Sequence, residues 1–163
     1  LPISLHMSGE LFKEMTGVQI RHIPYKGRAQ SLPDLISGRI SMLFDNLSSS
    51  LPLIKAGEVQ ALGVTTLKRS PAAPEIPTIA ETYPDCVGEV WVALFAPIGT
   101  SADAVKKVQL AMDKIMVKPD VREKLIAQGL DLSPVPSAKL ATLLKDELAK
   151  WAKIVKASGA QLD

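Results

Sequence analysis

Only one cysteine, Cys86, occurs among the 163 residues. No intramolecular disulfide can form, and neither a cysteine zinc cluster nor a CxxC redox pair exists, so Cys86 reads as structural. Aromatic residues make up 4% of the chain and the formal net charge is +2, with lysines scattered among acids. Neither the stacking platforms nor the basic surface that nucleic acid needs is present, and no nucleic acid partner is expected. No apolar run approaches the ~18 residues of a membrane span, so no membrane insertion is expected. The first residues lack the basic, apolar and cleavage regions of a signal peptide, and the chain opens at Leu1.

Catalytic signatures are missing as well. There is no GxSxG elbow, no GxxxxGK phosphate loop, and no cysteine set with a histidine and an acid in a known pattern. His6 and His22 have neither HExxH spacing nor an acid cluster beside them, so no metal site is expected, and nothing calls for a cofactor. These absences favour a protein that binds without converting, and not an enzyme.

What is present is the composition of a globular protein, 47% hydrophobic and 22% charged. A domain of this size buries roughly 70% of the surface its unfolded chain exposes, so it needs no metal or disulfide for stability. The most organised stretch runs from His22 to Asn46. Residues 19–24 alternate as a strand does, Gly27 supplies a permissive turn, and residues 29–36 carry helical spacing that stops at Gly38, with Pro33 expected in the first turn. A second strand then leads to the polar tip Asp45–Asn46. This is one βαβ unit, an α/β pattern in which ligands bind beyond the carboxyl ends of strands. There the next helix offers free N–H groups and a positive dipole to an anion. A small acid is the expected ligand.

Before that stretch, Ser4 is placed to cap a helix bearing Leu5, Leu11, Phe12 and Met15 and closed by Gly17. No strand precedes this helix, which leads to the expectation that the chain is part of a longer protein. After it come a short helix at 48–56 containing Pro52, a strand at 59–66, and a connection at 68–85 stiffened by four prolines. The apolar run 89–96 reads as a strand. Beyond Ala102 the pattern is wholly helical: one helix with Val105, Val108, Met112 and Ile115 on a face, a second from Pro119, and a last at 137–157. The domain boundary falls between Gly88 and Gly99. No internal repeat is apparent.

Several candidate residues keep two readings. Asn46 is either a ligand contact or a helix cap, Tyr25, Lys26 and Arg28 either bind or point into solvent, and Trp91 either walls a cleft or fills core.

Taken together, PYKG before a DLxxG helix, MLFDN, IKAGEVQALGVTT, KRSPAAPEIPTIAE, WVALFAPIGT, EKLIAQG and the pair Lys150–Trp151 resemble the TctC/Bug family. These are periplasmic solute-binding proteins of tripartite tricarboxylate transporters. The resemblance implies a type II periplasmic binding architecture in which residues 1–88 form most of the second lobe. Residues 89–163 would be a hinge strand and the carboxy-terminal helices of the first lobe. It further implies a small organic acid ligand, membrane transporter subunits as partners and a periplasmic location. Carried onto this chain, the site comprises Ser4, His6, Gly27, Arg28, Ala29, Gln30, Asp45 and Asn46. Arg28 stands where a smaller residue is frequent in relatives, and GTS at 99–101 replaces GTP. Two rival expectations are a ligand-sensing domain of a transcription regulator, and a truncated half that binds nothing and self-associates as a homodimer.

Overall fold

In a computed structural model the protein is described over residues 3–132 and 135–158. Six helices follow one another: α1 (Ile3–Thr16), α2 (Arg28–Ile36), α3 (Leu47–Lys55), α4 (Ala102–Met116), α5 (Pro119–Ala127) and α6 (Ser137–Ser158), with a 3₁₀ turn at Ile79–Glu81. Most helix ends sit where local chemistry puts them. Ser101 caps α4 by accepting from the Ala104 N–H at 3.3 Å, and Pro119 opens α5, where no N–H is needed. Ser4 departs from expectation. It lies inside the first turn of α1, and its carbonyl accepts from Ser8 Oγ at 3.0 Å.

α2 and α3 share one local build. Each has nine residues with proline at the sixth (Pro33 and Pro52), inside the helix and beyond its first turn. In each, the N–H groups of two residues early in the helix return to the carbonyl of the residue before it. Gln30 and Ser31 bond Gly27, and Ser49 and Ser50 bond Asn46. Each ends on a positive-φ glycine, Gly38 at 75° and Gly57 at 74°, with the following N–H reaching back to Asp34 or Leu53. The shared letters are few, Ser-Leu-Pro at 31–33 and 50–52 and the closing glycines.

The strands expected at 19–24, before Asp45, at 59–66 and at 89–96 are not formed among the described residues. A strand is defined by the neighbour that takes its N–H and C=O groups, and alternation alone does not supply one. The one bridge present is parallel and joins Val64 to Thr78: Val64 N donates to the Pro77 carbonyl and Ile79 N to the Val64 carbonyl, both at 2.9 Å. Its partner is thus the proline-rich connection and not another βα unit. Val92 and Leu94 of the 89–96 run are 93% and 71% exposed while Trp91 and Ala93 between them are half-buried, so this segment has no ladder and one bare face.

Burial concentrates in the first part of the chain. Leu47, Leu51 and Ile54 share one face of α3, and Leu51 is buried with Ala73 and Ile76 while Ala61, Val64 and Ala72 pack around them. The proline-rich connection is held over this core by Arg69. Its Nε and Nη2 each donate at 2.7 Å to the Glu81 carboxylate, and its Nη1 donates to the Pro74 carbonyl. Thr78 and Glu81 complete a reciprocal capping box. A second buried group, Met7 and Leu11, lies on α1, which packs against α6. Gly88 sits at that junction. A Cβ there would lie 3.1 Å from Ser8 Oγ and 3.5 Å from the Trp151 ring. Gly88 is fixed by exchange with Thr65, donating its N–H to the Thr65 carbonyl and accepting from Thr65 Oγ1.

Candidate functional site

The starts of α2 and α3 carry the candidate site. The first N–H groups of any helix have no partner within it, and neither Gly27 before α2 nor Asn46 before α3 supplies a side-chain cap. Both ends therefore present bare amides and a positive dipole. Asn46 occupies the cap position in backbone only, which leaves its amide uncommitted to the helix.

Arg28 joins the two helix starts. It is the first residue of α2, and its guanidinium crosses to α3, where Nε donates to Asp45 Oδ2 at 2.6 Å and Nη2 donates to the Ser49 carbonyl at 2.9 Å. The same Oδ2 accepts from Ser50 Oγ at 2.6 Å, while Ser49 Oγ, 3.4 Å from it, donates to the nearer Asn46 carbonyl at 2.9 Å. The Asp45 side chain is 10% exposed and that of Arg28 36%. Asp45 is therefore committed to protein donors, and its part is to hold Arg28 in place. Ser49 and Ser50 were not singled out in the sequence; the Ser-Ser-Ser run just after Asp45–Asn46 was the available signal.

The other expected site residues divide. A Cβ at Gly27 would meet nothing within 4 Å, so the approach to α2 is open there, and Ala29 is exposed beside it. Gln30 turns its side-chain carbonyl back to the Lys26 N–H at 3.3 Å. Tyr25, just before the turn, donates its hydroxyl to Asp34 Oδ2 at 2.8 Å, while Arg39 donates to Asp34 Oδ1. The Tyr25 hydroxyl, then Arg39, hold the Asp34 carboxyl below its usual range, and the same bond raises the Tyr25 phenol. This pair braces α2 against the segment before it.

Ser4 is exposed on α1. His6 is tied not to Arg28 or Asp45 but to its own surroundings. Its ring stacks on His22 with centroids 4.1 Å apart, and its Nε2 lies 3.5 Å from Glu10 Oε1. Lys13 also binds the Glu10 carboxylate, at 2.9 and 3.0 Å. Burial, then the neighbouring His6, lower the His22 pKa. Among the described residues no group of three His, Cys, Asp or Glu is placed to hold a metal ion.

Two shallow depressions lie away from the helix starts. One of about 430 Å³ is at the opposite end of α3, lined by Ile54, Gly57, Glu58, Gln60, Glu75 and Pro77. Its two carboxylates would repel an anion. The other, about 340 Å³, lies where Glu10, Lys13 and Gly17 of the α1 end meet Ile154 of α6. Among the described residues no helix is long and apolar enough to cross a membrane.

Comparison with known proteins gives one answer. The model of the tripartite tricarboxylate transporter family receptor, TctC, matches residues 2–160. The chain spans about half the length of most curated relatives it matches. One relative is of similar length, the UPF0065 protein in the clcB-clcD intergenic region of Pseudomonas knackmussii, 36% identical over 93% of this chain and 91% of its own. Among solved structures, R. palustris Rpa4515 with adipate is 37% identical with a TM-score of 0.82, covering 96% of this chain and 52% of that one. MatC from Rhodopseudomonas palustris with bound malate is 28% identical with a TM-score of 0.71, covering 92% and 52%. These neighbours share a periplasmic-binding-protein fold with this chain. The chain belongs to the TctC family of tripartite tricarboxylate transporter receptors.

Proposed function

We propose that the chain is the ligand-gripping part of an extracytoplasmic receptor that captures a small organic acid and hands it to membrane transporter subunits. One observation carries the reading. Two helices of like build are linked at their starts by the Arg28 side chain, and neither start is covered by a side-chain cap. Each bare start favours an anion by about 0.3–1 kcal/mol, and several N–H groups acting together give a carboxylate direction as well as attraction. Two related proteins of known structure hold adipate and malate, both carboxylates. The family is one of receptors, and the residues at this site offer hydrogen bonds and charge.

In this reading Gly27, Ala29 and Asn46 offer amides, Arg28 supplies charge, and Gln30, Ser4 and His6 flank the approach. Residues 1–88 form the ligand-binding lobe. Residues 89–163 begin with a hinge strand and continue as helices of the companion lobe, and the bare face of the apolar run 90–98 supports this because it asks for a packing partner. The receptor would work in the periplasm.

Calorimetry of the complete gene product with adipate tests the site. Gly27 has extended backbone and open space around it, so Gly27→Val should fold normally while filling the approach. The expected result is acid binding by the parent protein and at least a roughly tenfold loss in the variant, with unchanged melting temperature. Equal affinity in both proteins would remove the starts of α2 and α3 as the site.

A further inference from the structure

We infer that Arg28 sets this receptor's preference for acids carrying a second negative group, and that Asp45 is its positioning residue. The inference rests on the proposed acid-binding site and adds the class of acid. A guanidinium has five N–H donors in a fixed planar fork. Two of Arg28's are occupied, one by Asp45 and one by the Ser49 carbonyl. The other three, two on Nη1 and one on Nη2, have no partner among the described residues, and the side chain is 36% exposed. The two anchors fix the plane of the fork, so the remaining donors stand ready for a planar acceptor such as a carboxylate at little further loss of side-chain freedom.

Local folding does not require an arginine here. In α3, which shares the build of α2, the equivalent first position is Leu47, and that helix starts with the same hydrogen bonds to the residue before it. Nor does an arginine simply neutralise a stray acid, because Asp45 already accepts the Ser50 hydroxyl at 2.6 Å and the guanidinium reaches past it to the Ser49 carbonyl. The arrangement fixes a cation beside two bare helix starts. One carboxylate of a ligand meets the amides and a second meets the fork. An acid with a single carboxylate leaves the fork unused.

Adipate and hexanoate have the same carbon chain and differ in the second carboxylate, which makes them the probe pair for calorimetry on the complete gene product. The parent should bind adipate more tightly. Arg28→Ala should weaken adipate by about ten- to a hundredfold, the range for charge-assisted hydrogen bonds, and weaken hexanoate by clearly less. Arg28→Lys keeps the charge but not the fork and should fall between. Asp45→Asn should lower the adipate-to-hexanoate ratio without a matching change in melting temperature. A purely structural role would weaken both acids alike and leave that ratio unmoved. Equal losses for both acids, or none, in Arg28→Ala would overturn the inference while the acid-binding site stands. A parent protein that binds neither acid, nor other short carboxylates, would overturn both.

Discussion

Residues up to Gly88 and residues beyond it are built by different rules. In the first region a short helix, a single β-bridge and a proline-rich connection enclose Leu51, Ala73 and Ile76, and charge pairs from Arg69 and Arg28 tie together segments distant in sequence. In the second, α4, α5 and α6 have no buried residue among those described, and Val108, Met112 and Ile115 of α4 are exposed along its apolar stripe. Both regions carry the sequence pattern of a packed protein. Amphipathic patterning makes a helix able to pack, and the surface it meets decides whether it does.

Leu51→Ala should break this contrast most severely. It empties the centre of the core and should cost about 2–4 kcal/mol, read from the midpoint of chemical denaturation. A loss under about 1 kcal/mol would mean that the first region is no better packed than the second. A smaller effect, with a pH signature, is expected from Arg69→Ala. Arg69, then the Thr78 N–H, lower the Glu81 carboxyl to about 2 from its usual 4.5. A carboxyl lowered on folding adds stability that is present above the unfolded value and lost as pH falls through the folded one. The melting temperatures of the parent and Arg69→Ala should therefore differ most above pH ~5 and converge towards pH ~2. A gap that persists at pH 2 would show that Arg69 acts through its Pro74 contact instead. The smallest effect belongs to Val92→Ser, within about 0.5 kcal/mol in the 163-residue chain because the side chain is almost fully exposed. In a protein that also carries a companion lobe, the same change should cost more.

The same contrast explains what could be read in advance. Helix limits are written in neighbours along the chain, so Gly38, Gly57, Pro119 and the long stripe of α6 marked them correctly. Strands are written in neighbours across space. The alternation at 19–24 and the apolar run at 89–96 announced surfaces that want partners, and could not announce whether any segment of this chain provides them. The site was half legible for a related reason. Gly27, Arg28, Asp45 and Asn46 were visible as a polar cluster on a helix start, but the commitment of Asp45 to Arg28 spans 17 residues, and the stacking of His6 on His22 links α1 to a segment beyond it. Ser4 was misplaced because a serine near a helix start looks the same whether it precedes the first turn or lies within it.

At Gly129 the second region reaches the site. Its φ is +79°, and a Cβ there would stand 3.0 Å from both the nitrogen and the Cα of Ser48, in the first turn of α3. Main chain rests on main chain at this point, with no side chain between them to compress or change rotamer. The tilt of α3, and with it the carbonyl and hydroxyl that grip Arg28 and Asp45, is gauged by the thickness of a bare backbone.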